Sequence, residues 1–344
     1  MAKEALAVKY RPKCWEDVTE QSVVKDILEN QVQTKTVQSA YLFTGPSGTG
    51  KTTSARIFAN MINDGKGNPI EVDAASNSGV DNIRQIIEDA KRKPLDAEYK
   101  IFIVDECHSL SDSSWQALLK TLEEPPKFTI FIFCTTNPEK IPATILSRVQ
   151  RYNFQKISNE GIIERLNNIL EKESKESKLP ISWSTDAVEY IAKVSSGGMR
   201  DAITLLDKCL SSSNELTLDN VLKTIGSESY DTFFEFLNRL CNKEHHSITV
   251  IENVFNAGKD VKQFMKEFGK FILDVEKYLI YESTDYINIP ATQENINQLK
   301  ELELLRNEVF NAMELVVSIN NQIKWDSDPK TLIELSILIY CGKE

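Results

Sequence analysis

The sequence lacks the features by which membrane-spanning and secreted proteins are recognised. No apolar run approaches the ~20 residues that a transmembrane helix needs, and Lys3, Glu4 and Lys9 stand where a secretory signal would have an apolar core. The six cysteines include no C-x-x-C pair, which argues against a disulfide framework and a structural zinc site. These absences predict a soluble, cytoplasmic protein with no membrane partner, whose cysteines are reduced and mostly in the core.

The sequence also has fewer basic than acidic residues, and its 344 residues carry a formal net charge of −11. Residues 1–157 hold 20 Lys and Arg against 20 Asp and Glu, whereas residues 158–344 hold 20 against 31. A neutral first half can still present a basic face to nucleic acid, while the acidic second half is more plausible as a scaffold. The length allows two or three domains.

A glycine-rich stretch between an apolar strand and a helix has the pattern of a phosphate-binding loop. Its glycines permit conformations that a Cβ obstructs, so backbone N–H groups can converge on a phosphate at the start of the helix. Lys51 would reach the β- and γ-phosphates, and the Thr52 hydroxyl would ligate Mg²⁺. The predicted nucleotide-binding residues are Gly45, Pro46, Ser47, Gly48, Thr49, Gly50, Lys51, Thr52 and Thr53.

A second nucleotide-binding element follows further along the chain. Residues 100–106 form an apolar strand that ends in two carboxylates, as expected of a strand buried on both faces of a parallel sheet. Asp105 would support Mg²⁺, and Glu106 would orient or deprotonate the water that attacks the phosphate. Thr135 and Thr136 emerge at the end of another buried strand, where ligands of open α/β sheets bind.

The alternation of strands and helices predicts a doubly wound parallel sheet in residues 1–157. After Ser158 we expect no further strands, a small helical domain at 158–226 and a second helical domain at 227–344. Apolar stripes in the last domain are expected to be mainly bundle core. Predicted helices lie at 22–31, 52–61, 80–93, 113–124, 141–148, 160–174, 185–194 and 199–210, with a charged linker at 172–178 and breaks at Gly258, 286–292 and 326–329.

Together these elements resemble the gamma/tau subunit family of the bacterial DNA polymerase III clamp loader, and the similarity is dense over residues 3–210. Ser227–Ile280 also resembles that family's collar. The resemblance implies an α/β P-loop AAA+ domain followed by an all-α lid and an all-α collar through which subunits assemble. The motifs that carry it are residues 9–12, 45–53, 73–77, 104–110, 118–126, 134–138, 145–148 and 197–202.

The resemblance implies an ATP-driven loader that opens a ring-shaped sliding clamp and places it on primer–template DNA. Its partners would be the clamp, the DNA, and other loader subunits or copies of itself in a five-subunit ring. Two alternatives remain open. The chain could be a scaffold that has lost hydrolysis, or an AAA+ remodeller of another replication target.

The resemblance also assigns roles to single residues. Thr136 matches the sensor-1 position, Arg200 the sensor-2 arginine that reports the γ-phosphate, and Arg148 the arginine finger that enters a neighbouring subunit's site. Tyr10, Arg11 and Val18 match the segment that lines the adenine pocket. Arg84, Lys91 and Lys120 lie on helices that the family turns toward DNA, although the spacing of Arg84 and Glu88 also suits a surface ion pair.

Two departures from the family pattern affect these assignments. The family carries a four-cysteine zinc module after the phosphate-loop helix, whereas residues 60–68 are short and cysteine-free, so no zinc is expected. Valine at 149 replaces the family's cysteine and leaves Arg148 in place. Such a compact chain would suit a phage-encoded or otherwise divergent member. His245 and His246 lack further ligands and predict no metal site.

Overall fold

The computed structural model describes residues 4–176, 180–225 and 230–342. The chain divides into two compact units, Met1–Glu215 and Leu216–Glu344. The predicted separation of residues 1–157 from 158–226 stays a prediction, and the predicted boundary at Gly226 lies outside the described residues.

The first unit is built on five strands: β1 Ala40–Thr44, β2 Ile70–Asp73, β3 Lys100–Asp105, β4 Thr129–Thr135 and β5 Gln150–Asn153. They form one parallel sheet with the order β2-β3-β4-β1-β5. Every residue of β1 and β4 is buried, which explains their unbroken apolar sequences. Thr44 pairs with Thr135 and Asp73 with Asp105, so the carboxyl ends of neighbouring strands meet at one edge.

Helices cover both faces of this sheet and bury separate apolar clusters. One cluster joins Phe58 to Tyr41 and Phe43, and the other joins Trp115 to Phe102. This arrangement confirms the predicted doubly wound fold. The helices are α1 Leu6–Lys9, α2 Ser22–Gln33, α3 Lys51–Ile62, α4 Val80–Ala90, α5 Asp112–Glu123 and α6 Ala143–Leu146.

Three further helices follow the sheet: α7 Asn159–Glu176, α8 Thr185–Val194 and α9 Met199–Ser212. The prediction that strands stop after Ser158 was wrong, because β6 Ser182–Trp183 pairs with β7 Glu215–Leu216. The predicted charged linker at 172–178 was also wrong for residues 172–176, which are helical. Helix α7 continues through it because buried Glu173 bonds Lys9 and Tyr10, while residues 177 and 178 lie outside the described residues.

After β7, the described residues of the second unit form helices and their connections, and the predicted helix breaks are confirmed near 258, 286–292 and 326–329. Phe233, Phe236, Phe264 and Phe268 pack in its core, as the apolar stripes predicted. The helices are α10 Leu218–Ile225, α11 Tyr230–Cys241, α12 Ile248–Asn256, α13 Val261–Tyr281, α14 Gln293–Leu302, α15 Arg306–Gln322 and α16 Pro329–Cys341.

Cysteine placement follows the prediction from the sequence. All six cysteines are free, and all are buried except Cys14. Burial raises the pKa of the Cys134 thiol well above its usual range, so this thiol packs as a small apolar group. Across the described residues, no helix is long and apolar enough to cross a membrane.

Candidate active site

The glycine-rich loop between β1 and α3 adopts the backbone that its sequence predicts. Gly45 has a φ of 144°, and a Cβ there would lie 2.2 Å from the Phe154 carbonyl oxygen. Gly50 has a φ of 97° immediately before α3 begins at Lys51. The first N–H groups of α3 therefore face the loop, and a helix start of this kind attracts anions.

Lys51 and Thr52 lie where the loop meets α3. The Lys51 side chain is buried, and its Nζ donates to the carbonyl oxygens of Gly45 at 2.9 Å and Pro46 at 2.7 Å. Burial lowers the pKa of Lys51, and the negative charges of Asp105 and Glu106 act in the opposite direction. A cation is thus held inside the loop, in the place that a phosphate-binding role requires.

Thr52 and Asp105 bring two oxygen atoms together. The Thr52 hydroxyl donates to Asp105 Oδ2 at 2.8 Å. Two neighbouring ligands of an octahedral Mg²⁺ ion lie about 2.9 Å apart when each bond is about 2.0–2.1 Å. The pair therefore fits a magnesium ion that takes its remaining ligands from phosphate and water. The described residues contain no group of three or more His, Cys, Asp or Glu that could hold a metal by themselves.

Glu106 is presented by an unusual backbone conformation. Its φ of 46° is left-handed, and its N–H donates to Asp105 Oδ1 at 3.0 Å. This turn directs the carboxylate towards β4, where the Thr136 hydroxyl donates to Glu106 Oε2 at 3.3 Å. His108, which our sequence analysis did not single out, places Nδ1 3.3 Å from the same oxygen. Its position two residues after Glu106 in a motif already noted was the available signal.

Most of the predicted nucleotide-binding residues line one cavity of about 150 Å³. Arg148, Thr136, Gly45 and Pro46 are not among the lining residues, although Thr136 contacts Glu106. The cavity therefore unites the glycine-rich loop, the end of β3, the N-terminal segment and α9. The predicted residues in its lining are Tyr10, Arg11, Val18, Ser47, Gly48, Thr49, Gly50, Lys51, Thr52, Thr53, Asp105, Glu106 and Arg200.

Arg200 reaches the cavity because α9 begins at the glycine-rich loop. Met199 N–H donates to the Gly48 carbonyl oxygen at 3.0 Å. Gly48 has a φ of 74°, and a Cβ there would lie 3.1 Å from Gly198 Cα, so this close approach favours glycine at position 48. Burial lowers the pKa of Arg11, and the positive charges of Arg56 and Arg200 lower it further. Among the described residues, Arg11 and Arg200 line the cavity without an ion-pair partner, which suits a polyanionic ligand.

The N-terminal strap, residues 5–18, is fixed by contacts that sequence reasoning missed. Tyr10 donates its hydroxyl to Glu173 at 2.8 Å, and burial together with this bond raises the pKa of Tyr10 to about 12. Arg165 donates to the Tyr10 carbonyl oxygen at 3.0 Å and lies 3.7 Å from Asp17. Arg165 also lines the cavity. No local sequence signal distinguishes it from the other charged residues of α7.

Arg148 lies just after α6 and contacts its own subunit's surface. Its Nη2 donates to Glu123 Oε1 at 2.6 Å, and its Nη1 donates to the Thr144 carbonyl oxygen at 2.5 Å. About a third of the side chain stays exposed. The structure therefore does not bring Arg148 together with Lys51 and Glu106 in the described residues of one chain.

Two of the three predicted DNA-contacting residues, Arg84 and Lys120, lie on helices α4 and α5, and Lys91 follows the last residue of α4. Lys120 is exposed, and Arg84 and Lys91 are mostly exposed and pair with Asp81 and Glu88 respectively. The suggested pairing of Arg84 with Glu88 was wrong. Arg84 instead bonds Asp81, three residues earlier on the helix, at 3.0 Å.

Comparisons with known proteins identify relatives of this chain. The family described as DNA polymerase III, delta subunit, matches residues 68–158. The chain is 32% identical to DNA polymerase III subunit tau of Bacillus subtilis over 99% of its own length and 64% of that protein. It is 36% identical to DNA polymerase III subunit gamma of Buchnera aphidicola over 70% of its own length and 69% of that protein.

A solved structure agrees with the fold. The Thermotoga maritima RuvB Holliday junction branch migration motor matches with a TM-score of 0.51 and 21% identity, over 67% of this chain and 79% of that one. This likeness establishes the AAA+ P-loop fold alone. The chain spans less than two thirds of the length of the Bacillus subtilis relative, 64%. Because the match to the Buchnera aphidicola gamma subunit covers more than two thirds of that relative, the chain belongs to the DNA polymerase III gamma/tau family.

Proposed function

We propose that this chain is an ATP-hydrolysing motor subunit of a DNA clamp loader. In this role it opens a sliding clamp and places it on primer–template DNA during replication. The observation that carries the proposal is the single cavity in which Lys51, Thr52, Asp105 and Glu106 lie together. That set supplies each group that phosphoryl transfer from ATP to water requires within one subunit.

The cavity lining supports a definite orientation for ATP. The triphosphate lies against the loop and the start of α3, with Lys51 at the β- and γ-phosphates and Arg200 at the γ-phosphate. The adenine lies against Tyr10, Arg11 and Val18. Thr52 and Asp105 would hold Mg²⁺, which neutralises charge on the phosphates.

Glu106 carries the chemical step in this proposal. Its carboxylate orients a water molecule in line with the γ-phosphorus and accepts a proton from it as the new P–O bond forms. The bond between the γ-phosphorus and the bridging oxygen breaks, and ADP leaves with that electron pair. Arg148 from a neighbouring subunit stabilises the charge that spreads over the transferring group.

The proposal is tested by steady-state ATPase assays on the purified chain. Turnover that rises with primed DNA and a candidate sliding clamp is the expected result. Turnover that responds to neither would indicate a remodeller of another target. Bound ATP without turnover in the assembled complex would indicate a scaffold and overturn the motor assignment.

The proposed partners are the clamp, primer–template DNA, and other loader subunits or copies of this chain in a five-subunit ring. AAA+ chains that act through an arginine finger need a neighbour, because the finger completes another subunit's site. Native mass spectrometry of the complex purified from its source would identify the members and their numbers. If the chain is recovered from its source without any other subunit or copy of itself, an assembly of this kind is contradicted.

Replacing Lys51 with alanine is expected to reduce ATP binding or turnover severely. The change removes a buried cation that the loop holds beside its own carbonyl oxygens. Titration with a fluorescent ATP analogue and steady-state hydrolysis measure the two effects separately. Lys66→Ala, at an exposed position beyond the end of α3, is the matched control. If Lys51→Ala kept the wild-type ATP affinity and hydrolysis rate, the assignment of a phosphate-binding loop would be overturned.

Neutralising Arg84, Lys91 and Lys120 with glutamine is expected to weaken DNA binding and DNA-stimulated hydrolysis. Each lost phosphate contact lowers the slope of log K against log salt by about one unit, so the triple variant should have a flatter salt dependence. Fluorescence anisotropy of labelled primed DNA over a salt series measures the slope.

A matched control replaces three exposed lysines of the second unit, Lys266, Lys300 and Lys324, with glutamine. This variant loses the same positive charge from the acidic part of the chain and should keep the wild-type slope. An identical slope in both triple variants and the wild type would mean that Arg84, Lys91 and Lys120 only face solvent.

A further inference from the structure

His108 occupies the space between the proposed base and the end of β4. It lies in a 3₁₀ turn, Cys107–Ser109, directly after Glu106. Its side chain is 16% exposed, and Nδ1 lies 3.3 Å from Glu106 Oε2 and 3.1 Å from Thr135 Oγ1. The proposed chemical step does not use this imidazole.

The two neighbours of Nδ1 determine which tautomer the site requires. An ionised carboxylate oxygen can only accept a hydrogen bond, so an unprotonated Nδ1 at this distance would set two lone pairs against each other. A proton on Nδ1 makes the contact with Glu106 attractive. The Thr135 hydroxyl can accept from the same N–H, and it already accepts the N–H of Asn137 at 3.0 Å. We therefore expect the proton on Nδ1.

Glu106 is then held by one of its two oxygens. The Thr136 hydroxyl donates to Oε2 at 3.3 Å, and His108 Nδ1 lies 3.3 Å from the same oxygen. Within the described residues, Oε1 has no hydrogen-bond donor other than solvent. A hydrogen bond from Thr136 and an attractive contact from a protonated Nδ1, both on one oxygen, restrict rotation of the carboxylate and leave the other oxygen for a water molecule.

We propose that His108 is a positioning residue that orients Glu106 for attack on ATP. It acts through Glu106 and does not line the nucleotide cavity. The inference depends on the proposed function, since it assigns His108 a task in the hydrolysis by Glu106. It adds a residue from the 3₁₀ turn to the pair formed by Glu106 and Thr136.

Kinetics of His108 variants test this role. His108→Leu removes the donor, and the less restrained carboxylate should lower kcat about 10- to 100-fold, as small misplacements of a catalytic group do. KM for ATP and the affinity for an ATP analogue should stay within about twofold, because no nucleotide contact is lost. His108→Asn places Nδ2 near the position of Nδ1 and should recover most of the lost kcat.

A double variant separates positioning from general damage to the site. If His108 acts only through Glu106, then His108→Leu should lower kcat no further in a Glu106→Gln background. An additional loss of the same size in that background would assign His108 a separate role. An unchanged kcat in His108→Leu would make it a structural histidine and overturn the proposal.

The tautomer gives a readout that needs no turnover. Nitrogen-15 NMR of histidine-labelled full-length protein distinguishes a proton on Nδ1 from one on Nε2. We expect the Nδ1–H tautomer for His108 in the wild type and a shift toward Nε2–H in Glu106→Ala, with His245 and His246 unchanged as internal controls. The signal of His108 is assigned from His108→Asn.

The tautomer measurement and the turnover measurement would overturn different claims. An Nε2–H tautomer in the wild type would overturn the contact on which the inference rests, whatever the chain hydrolyses. Absence of wild-type turnover in the complete complex would overturn the proposed motor function, and a positioning role in hydrolysis would be overturned with it even if the tautomer agreed.

Discussion

Glu106→Gln is expected to keep ATP bound while turnover falls by the ~10²–10⁴ that general-base catalysis usually contributes. Glutamine has nearly the same shape, and its carbonyl oxygen can still accept a hydrogen bond from Thr136. It lacks only the capacity to take a proton from water. Single-turnover hydrolysis measures the loss, and an ATP analogue titration measures the retained affinity.

The matched control for this substitution is Glu124→Gln, at an exposed position just after α5. It removes one carboxylate from the same unit and should leave both affinity and turnover near the wild-type values. Retained turnover in Glu106→Gln would mean that Glu106 is only a carboxylate at the end of a strand. Loss of ATP binding would mean that the substitution disturbed the neighbouring Asp105.

The parts of the site that depend on local backbone could be predicted from the sequence. The spacing of glycines at 45 and 50 specifies a loop with positive φ, and the structure has it. The unbroken apolar residues of β1 and β4 specify strands buried on both faces. In a parallel sheet all strands end at the same edge. The loop after β1 and Glu106 after β3 therefore lie in one cavity.

Contacts between distant parts of the chain could not be predicted in this way. Glu173 lies 163 residues from Tyr10, and its charge suggested a solvated linker until the structure placed it against the strap. Arg165 bonds the Tyr10 carbonyl oxygen across 155 residues. Neither pairing has a periodic or motif signal, because the chemistry of each residue suits solvent equally well. The resemblance to a family supplied Arg148 and Arg200, which periodicity alone would have left among ordinary surface arginines.

The structure gives a reason to test Arg148 with a neighbouring subunit. It is absent from the cavity lining within the described residues, and Glu123 holds its guanidinium at 2.6 Å. A partly exposed ion pair of this kind typically contributes about 0–1 kcal/mol, so a competing partner can replace it at little cost. The γ-phosphate of ATP bound in an adjacent subunit's site would be such a partner.

Arg148→Ala is therefore expected to leave the chain folded and able to bind ATP, yet almost inactive. Arginine fingers supplied by a neighbour typically contribute ~10³–10⁵ in rate, because the guanidinium stabilises charge on the transferring phosphoryl group. Thermal unfolding checks the fold, and ATPase assays of the assembled complex check the rate. Arg151→Ala, at an exposed position on β5, is the matched control and should stay active.

Mixing Arg148→Ala with Glu106→Gln separates action in a neighbour from action within the same subunit. Each variant is inactive alone, but an interface where the first supplies the site and the second supplies the arginine contains every group. If subunits exchange, the mixture should regain part of the wild-type activity, whereas Arg148→Ala mixed with the double variant should not, since no arginine is present. No recovery in complexes shown by native mass spectrometry to contain both single variants would mean that Arg148 acts in its own subunit or not at all.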